Sequence, residues 1–127
     1  MHLFRWYIQQ KKLTVLTAIV WTVIVFVLCL MPSNDIPKIR VPFIDKWTHL
    51  LIFAVFSFLW FAVLSKFKAK YAWLLFFATF LTGYIIELLQ GSPWVHGRSY
   101  ELMDVVADSI GGVIGIFIFY FLHRFNR

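Results

Sequence analysis

The residues best suited to chemistry lie at the ends of two long apolar runs. Asp45 and His49 are four residues apart, and Glu87 and Gln90 are three apart. On a helix either spacing places both side chains on one face. Carboxylates and imidazoles are the usual groups of general acid–base catalysis, and a carboxylate one turn away can orient an imidazole. The spacing therefore predicts His49 as a general base oriented by Asp45, with Glu87 as the acid.

A second set of polar residues is suited to holding a ligand. Arg98 and Lys46 are cations that can donate hydrogen bonds to a phosphate or carboxylate. Asp104 and Asp108 are four residues apart at the start of the last apolar run and so share a helix face. The predicted ligand-binding residues are Lys46, Gln90, Arg98, Asp104 and Asp108.

A divalent cation is an open alternative role for the acids. Glu87, Asp104 and Asp108 offer the hard oxygen ligands that Mg²⁺ and Ca²⁺ prefer. Their spacing is not diagnostic of a metal, so the sequence identifies neither a metal nor another cofactor. Cys29 is the only cysteine, which excludes an internal disulfide and a zinc site built on cysteines.

All of these residues must be positioned by membrane helices. Of the 127 residues 61% are apolar, 20% aromatic and 14% charged, whereas about a quarter of a soluble protein is charged. Four apolar runs are long enough to cross a bilayer, at about 13–31, 47–65, 71–90 and 102–122. The sequence thus predicts an all-α, polytopic membrane protein, a four-transmembrane-helix bundle that forms a single domain over residues 1–127.

The positions of the basic residues predict the orientation. If the N-terminus is cytoplasmic, eight basic residues lie on that side: Arg5, Lys11, Lys12, Lys66, Lys68, Lys70, Arg124 and Arg127. The other side then holds four: Lys38, Arg40, Lys46 and Arg98. The excess favours both termini in the cytoplasm. Because the basic residues form short clusters between apolar runs, the net charge of +6 indicates membrane topology and not nucleic-acid binding.

In this orientation the acidic residues lie at or near the outer face. Charges inside a membrane helix cost at least about 2.5–3.5 kcal/mol each at its centre, so several together need a common reason. We expect these ionisable residues to converge, with Arg98 paired to a carboxylate of the third or fourth run. An ion-paired network that only fixes helix packing is one explanation. A functional site is favoured, because apolar residues would hold the bundle at a lower desolvation cost.

Two glycines continue the acidic face of the last run. Gly111 and Gly115 follow Asp104 by seven and eleven residues, so they lie on its side of the helix. Small residues allow another helix to approach closely, either within the chain or in a second copy. Both packing within the chain and a homo-oligomer through Gly111 and Gly115 stay open.

The order and spacing of these motifs resemble the VanZ-like family of bacterial integral membrane proteins. The motifs are Asp45-Lys46-x-x-His49, Glu87-x-x-Gln90, Gly97-Arg98 and Asp104-x-x-x-Asp108-x-x-Gly111-x-x-x-Gly115. The resemblance covers Ile44 to Gly115, and Asp108 departs from the Asn expected in many members. It implies a four-helix, multi-pass protein of the bacterial cytoplasmic (inner) membrane, in the cell envelope. The founding member of the family is linked to low-level resistance to the glycopeptide teicoplanin. The resemblance implies no settled biochemical activity.

Three functions follow from these residues. The first is an intramembrane enzyme that modifies the head group of a lipid-linked or cell-wall precursor, with water or a substrate hydroxyl as nucleophile, because no activated Ser or Cys is evident. The second is a non-enzymatic binding or accessory protein that captures a lipid head group or a glycopeptide without turnover. The third is a proton-coupled small transporter, although four helices leave little room for alternating access without oligomerisation.

Overall fold

The computed structural model describes residues 2–35, 38 and 40–126. They form five α-helices: α1 (His2–Gln9), α2 (Lys11–Cys29), α3 (Ile44–Leu64), α4 (Ala69–Gln90) and α5 (Leu102–Phe125). A short 3₁₀ turn covers Ser33–Asp35. The predicted all-α class is confirmed.

Helices α2 to α5 are each long and apolar enough to cross a membrane. The chain is therefore a multi-pass membrane protein. Helix α3 begins three residues earlier than predicted, at Ile44, which places Asp45 and Lys46 in the first turn and not ahead of the helix. Helix α5 extends three residues further than predicted, to Phe125. Acidic residues at the first turn of a helix are favourable because the amino end carries partial positive charge.

Helices α3 and α5 pack against each other along the two glycines. A methyl group on Gly111 would overlap the carbonyl oxygen of Leu50, and one on Gly115 would overlap the carbonyl oxygen of Ala54. Further along the same two helices, toward their carboxyl ends, the ring of Phe119 stacks on that of Phe61 with centroids 4.6 Å apart. The glycine face is filled by α3 of the same chain, so a second copy would have to displace that helix to use it.

The two ends of the bundle differ in chemistry. We call the end where α2 and α4 finish and α3 and α5 begin the acidic end. Its acids are Asp35, Asp45, Glu87, Glu101, Asp104 and Asp108. At the opposite end, which we call the aromatic end, Phe61 stacks between Phe67 at 5.2 Å and Phe119. Helix α1 packs there too, with the ring of Phe4 centred 5.7 Å from that of Phe119.

Candidate functional site

A buried histidine–carboxylate pair lies at the centre of the acidic end. His49 Nδ1 of α3 is 2.9 Å from Asp108 Oδ1 of α5, and the side chains are 2% and 0% exposed. The expectation that Asp45 orients the imidazole is wrong, because the hydrogen bond comes from the neighbouring helix. The close α3–α5 contact at the glycines brings Asp108 within reach of the ring.

A second ionic cluster at this end consists of Lys46 and two acids. The Nζ of Lys46 is 2.6 Å from Glu101 Oε2 and 2.9 Å from Asp104 Oδ1. The Asp104 side chain is 2% exposed, so the ammonium neutralises a carboxylate that would otherwise be buried without a cation. Lys46, predicted as a ligand-binding residue, is thus engaged by two acids. Glu101 was missed by the sequence analysis, and its position just ahead of α5 was the available signal.

Arg98 lies beside Asp45. Its Nη2 is 3.7 Å from Asp45 Oδ1, so the expected pairing with the third or fourth span is wrong: the partner belongs to α3, the second span. That distance is longer than a hydrogen bond. Among the described residues the guanidinium donates no hydrogen bond, although its side chain is only 15% exposed. Its donors are therefore available to a ligand.

Helix α4 contributes Glu87 and Gln90, both buried. Glu87 Oε2 accepts a hydrogen bond of 2.9 Å from the backbone N–H of Glu101. Gln90 Nε2 donates one of 2.6 Å to the carbonyl oxygen of Cys29. The last carbonyls of a helix lack partners within it, so Gln90 caps α2 and holds it to α4. In this structure both side chains tie helix ends together.

Three buried oxygens of the α4–α5 contact have no hydrogen-bond partner among the described residues. They are Thr79 Oγ1, Glu87 Oε1 and Asp108 Oδ2. The Asp108 carboxylate lies directly over Gly83, where a methyl group would overlap Oδ2. A buried polar atom left unpaired costs about 1–3 kcal/mol. An apolar contact between the same two helices would avoid this cost.

A cavity of about 550 Å³ opens at the acidic end between α2 and α3. Its polar wall includes Asp45, His49, Arg98 and Lys38. Its apolar wall includes Leu28, Met31 and Ile52. The structure thus places Asp45, His49 and Arg98 at one surface. The remaining predicted residues lie outside the cavity lining: Lys46, Glu87, Gln90, Asp104 and Asp108.

One group of side chains has the spacing of metal ligands. One ligand atom from each of Asp45, His49 and Asp104 lies within 4.8 Å of the others. Of the acids that the sequence suggested for a cation, only Asp104 belongs to this group. His49 enters it because α3 faces α5, which the order of residues along the chain does not show.

The family model described as VanZ/LLP1 matches residues 4–123, nearly the whole chain. The match extends beyond the region that carries the motifs, Ile44 to Gly115, at both ends, and includes most of α1 and the last turns of α5. No curated protein and no solved structure matches the chain.

Proposed function

The chain belongs to the VanZ/LLP1 family, and we propose that it binds the anionic head group of a lipid-linked or cell-wall precursor. Binding takes place in the cavity at the acidic end. The observation that carries the proposal is that this cavity of about 550 Å³ combines an apolar wall with Arg98, Asp45 and His49. Small-molecule sites have volumes of about 300–1,000 Å³ and a few polar groups in a mainly apolar lining.

The position of the opening favours an amphiphilic ligand. Leu28 of α2 and Thr48 of α3 border the cavity, and both are exposed on the side of the bundle that faces lipid. A lipid in the bilayer reaches such an opening sideways. Its head group then enters the cavity while its chain stays among the lipid tails.

Arg98 is the residue that recognises the anion. A guanidinium presents two parallel donors that match a phosphate or carboxylate, and it is always charged. Lys38 adds a second cation to the wall. The excess of Lys and Arg on the other side of the membrane favours an outward-facing acidic end, where precursors of the cell wall are exposed.

Modification of the bound head group is a second candidate, favoured by the His49–Asp108 pair. A carboxylate on Nδ1 fixes the tautomer and leaves Nε2 as the base, as in known catalytic imidazoles. Asp108 then takes the orienting role that the sequence assigned to Asp45. A proton-coupled transporter has less support, because four spans leave little room for alternating access without oligomerisation.

Binding of a polyprenyl phosphate to the purified protein in detergent tests the proposal. We expect Arg98→Ala to weaken binding at least about tenfold, which is about 1.4 kcal/mol, and Arg98→Lys to weaken it less. Arg40→Ala is the matched control, since Arg40 is an exposed cation in the α2–α3 connection, at the same end of the bundle but outside the cavity lining. Equal affinity of the Arg98→Ala and Arg40→Ala proteins would refute the proposal.

A further inference from the structure

We propose that Asp45, His49 and Asp104 bind a divalent cation of the Zn²⁺ or Mn²⁺ type, which takes the phosphate of the head group as a further ligand. The second half of this proposal rests on the proposed function. The first half concerns the protein alone and is tested separately.

The geometry of the three side chains supports a shared ion. Their ligand atoms all lie within 4.8 Å of one another. Ligands at about 2.0–2.2 Å from a tetrahedral ion are about 3.3–3.6 Å apart, so the side chains would close by up to about an ångström when an ion binds. His49 and Asp104 are each about 2% exposed and are held by their helices. Asp45 is 42% exposed, and its 3.7 Å contact with Arg98 is longer than a hydrogen bond, so its side chain can adjust.

The imidazole of His49 is already oriented as a metal ligand. Asp108 Oδ1 holds Nδ1 at 2.9 Å, so Nε2 is the nitrogen directed at the group. Nε2 faces Asp104 Oδ2 across 3.9 Å, which is too long for a hydrogen bond. Ligand histidines commonly donate their other N–H to a carboxylate in this way. A nearly fully buried nitrogen is therefore directed at the two carboxylates without a hydrogen bond to Asp104.

The two oxygens of the Asp104 carboxylate face different groups. Asp104 Oδ1 is bound by Lys46 Nζ at 2.9 Å, while Oδ2 faces His49. An ion on Oδ2 leaves the lysine contact in place. Asp45 and His49 line the cavity, so the open coordination positions of the ion face the space that a ligand would occupy.

The charge of the acidic end favours a bound cation. With all groups ionised and the histidines neutral, its six carboxylates outnumber the four basic residues Lys38, Arg40, Lys46 and Arg98 by two. A divalent ion balances that excess and adds positive charge beside the position at which Arg98 is proposed to bind a phosphate.

The donor set selects the class of metal. Mg²⁺ and Ca²⁺ take oxygen ligands, whereas an imidazole nitrogen suits Zn²⁺ and related transition ions. Three protein ligands with open positions are typical of zinc sites that act on a ligand. Mn²⁺ accepts carboxylates as well and allows detection by electron paramagnetic resonance.

Titration of the purified, chelator-treated protein with Zn²⁺ by calorimetry, and with Mn²⁺ by paramagnetic resonance, tests the site. We expect one ion per chain, and affinity at least about tenfold lower in Asp45→Asn and His49→Gln. Asp108→Asn should lower affinity by about 10–100-fold, the usual effect of removing a carboxylate behind a ligand histidine. Asp35→Asn and His96→Gln are controls, because both residues are exposed and lie outside the group.

Absence of Zn²⁺ and Mn²⁺ binding to the unsubstituted protein overturns the inference, as does binding that survives both Asp45→Asn and His49→Gln. If His49→Gln fails to fold, Asp45→Asn decides, since a half-exposed position tolerates the change. Polyprenyl phosphate binding with and without EDTA separates the two proposals. Arg98-dependent binding that EDTA leaves unchanged refutes the metal bridge alone. Metal binding without any phosphate binding refutes the proposed function and leaves the metal site standing.

Discussion

At the scale of single residues, Lys46 is the main electrostatic support of the acidic end. It contacts Glu101 and Asp104 at once, and the Asp104 carboxylate is almost fully buried. Removing one partner of a buried ion pair leaves an uncompensated charge, which costs more than the pair itself contributes. The lysine is 28% exposed, so water offsets part of that cost.

We predict that Lys46→Met lowers the free energy of unfolding by about 1–3 kcal/mol, because Asp104 loses its cation. Addition of Asp104→Asn should restore part of the loss, since the amide carries no charge. Thermal melting in detergent measures both effects. Lys38→Met, an exposed lysine outside this network, is the control. Equal melting temperatures for the two lysine variants would show that Lys46 does not neutralise a buried charge.

The sequence predicts which residue types gather at the acidic end but not which atoms meet. The four-residue spacing of Asp45 and His49 places them on one face of α3, and both line the cavity. It gives the wrong carboxylate for the imidazole, because the partner Asp108 lies 59 positions away on α5. Spacing along one helix predicts which residues share a face of that helix. Which residues of another helix they contact depends on how the two helices pack.

At the scale of elements, the α3–α5 contact sets the geometry of the site. Gly111 and Gly115 let the backbone of α3 approach α5 closely, and the same approach brings His49 to Asp108. The glycine spacing predicted a close helix contact, and the structure shows α3 in that place. The site and its scaffold therefore share one helix interface.

We predict that Gly111→Ala and Gly115→Ala each destabilise the bundle by about 1–3 kcal/mol, as overpacking usually does. Alanine favours helix over glycine, so destabilisation would come from the clash with α3 and not from helix propensity. Ile114→Ala, on the exposed side of the same turn, is the control. Gly→Ala variants that melt at or above the temperature of the unsubstituted protein would contradict the tight contact.

The long spans were predictable because length and hydropathy alone mark them, whereas α1 was not predicted. Its residues Phe4, Tyr7 and Ile8 have helical spacing and pack against the aromatic core. A segment of eight residues is too short to be a stable helix by itself. Its helical form depends on that packing, which a reading of local pattern does not supply.

At the scale of the whole molecule, the bundle is polarised. The acidic end holds the cavity of the proposed site and the buried ion pairs, whereas the aromatic end contains stacked rings and is flanked by lysines. The proposed site therefore lies near one face of the membrane. The proposed function requires that this face be the outer one.

We predict that an alkaline phosphatase fusion is inactive at Lys68 and active at Gly97, because Lys and Arg are retained preferentially in the cytoplasm. A fluorescent protein that matures only in the cytoplasm should give the opposite pattern. Residues 68 and 97 lie beyond opposite ends of α4, so each fusion serves as the control for the other. Activity at 68 and none at 97 would place the cavity inside the cell and exclude a ligand of the outer leaflet.

The central claim is that the acidic end is a site and not only a scaffold, and one paired measurement on His49→Gln tests it most directly. Teicoplanin susceptibility of bacteria expressing the variant is compared with the melting temperature of the same purified variant. Gln keeps a hydrogen-bond donor for Asp108 but not the titratable ring nitrogens. His96→Gln, an exposed position, is the control. We predict that expression of the unsubstituted protein shifts susceptibility and that His49→Gln abolishes this shift at an unchanged melting temperature. A retained shift, or loss of the shift together with loss of stability, would contradict the account.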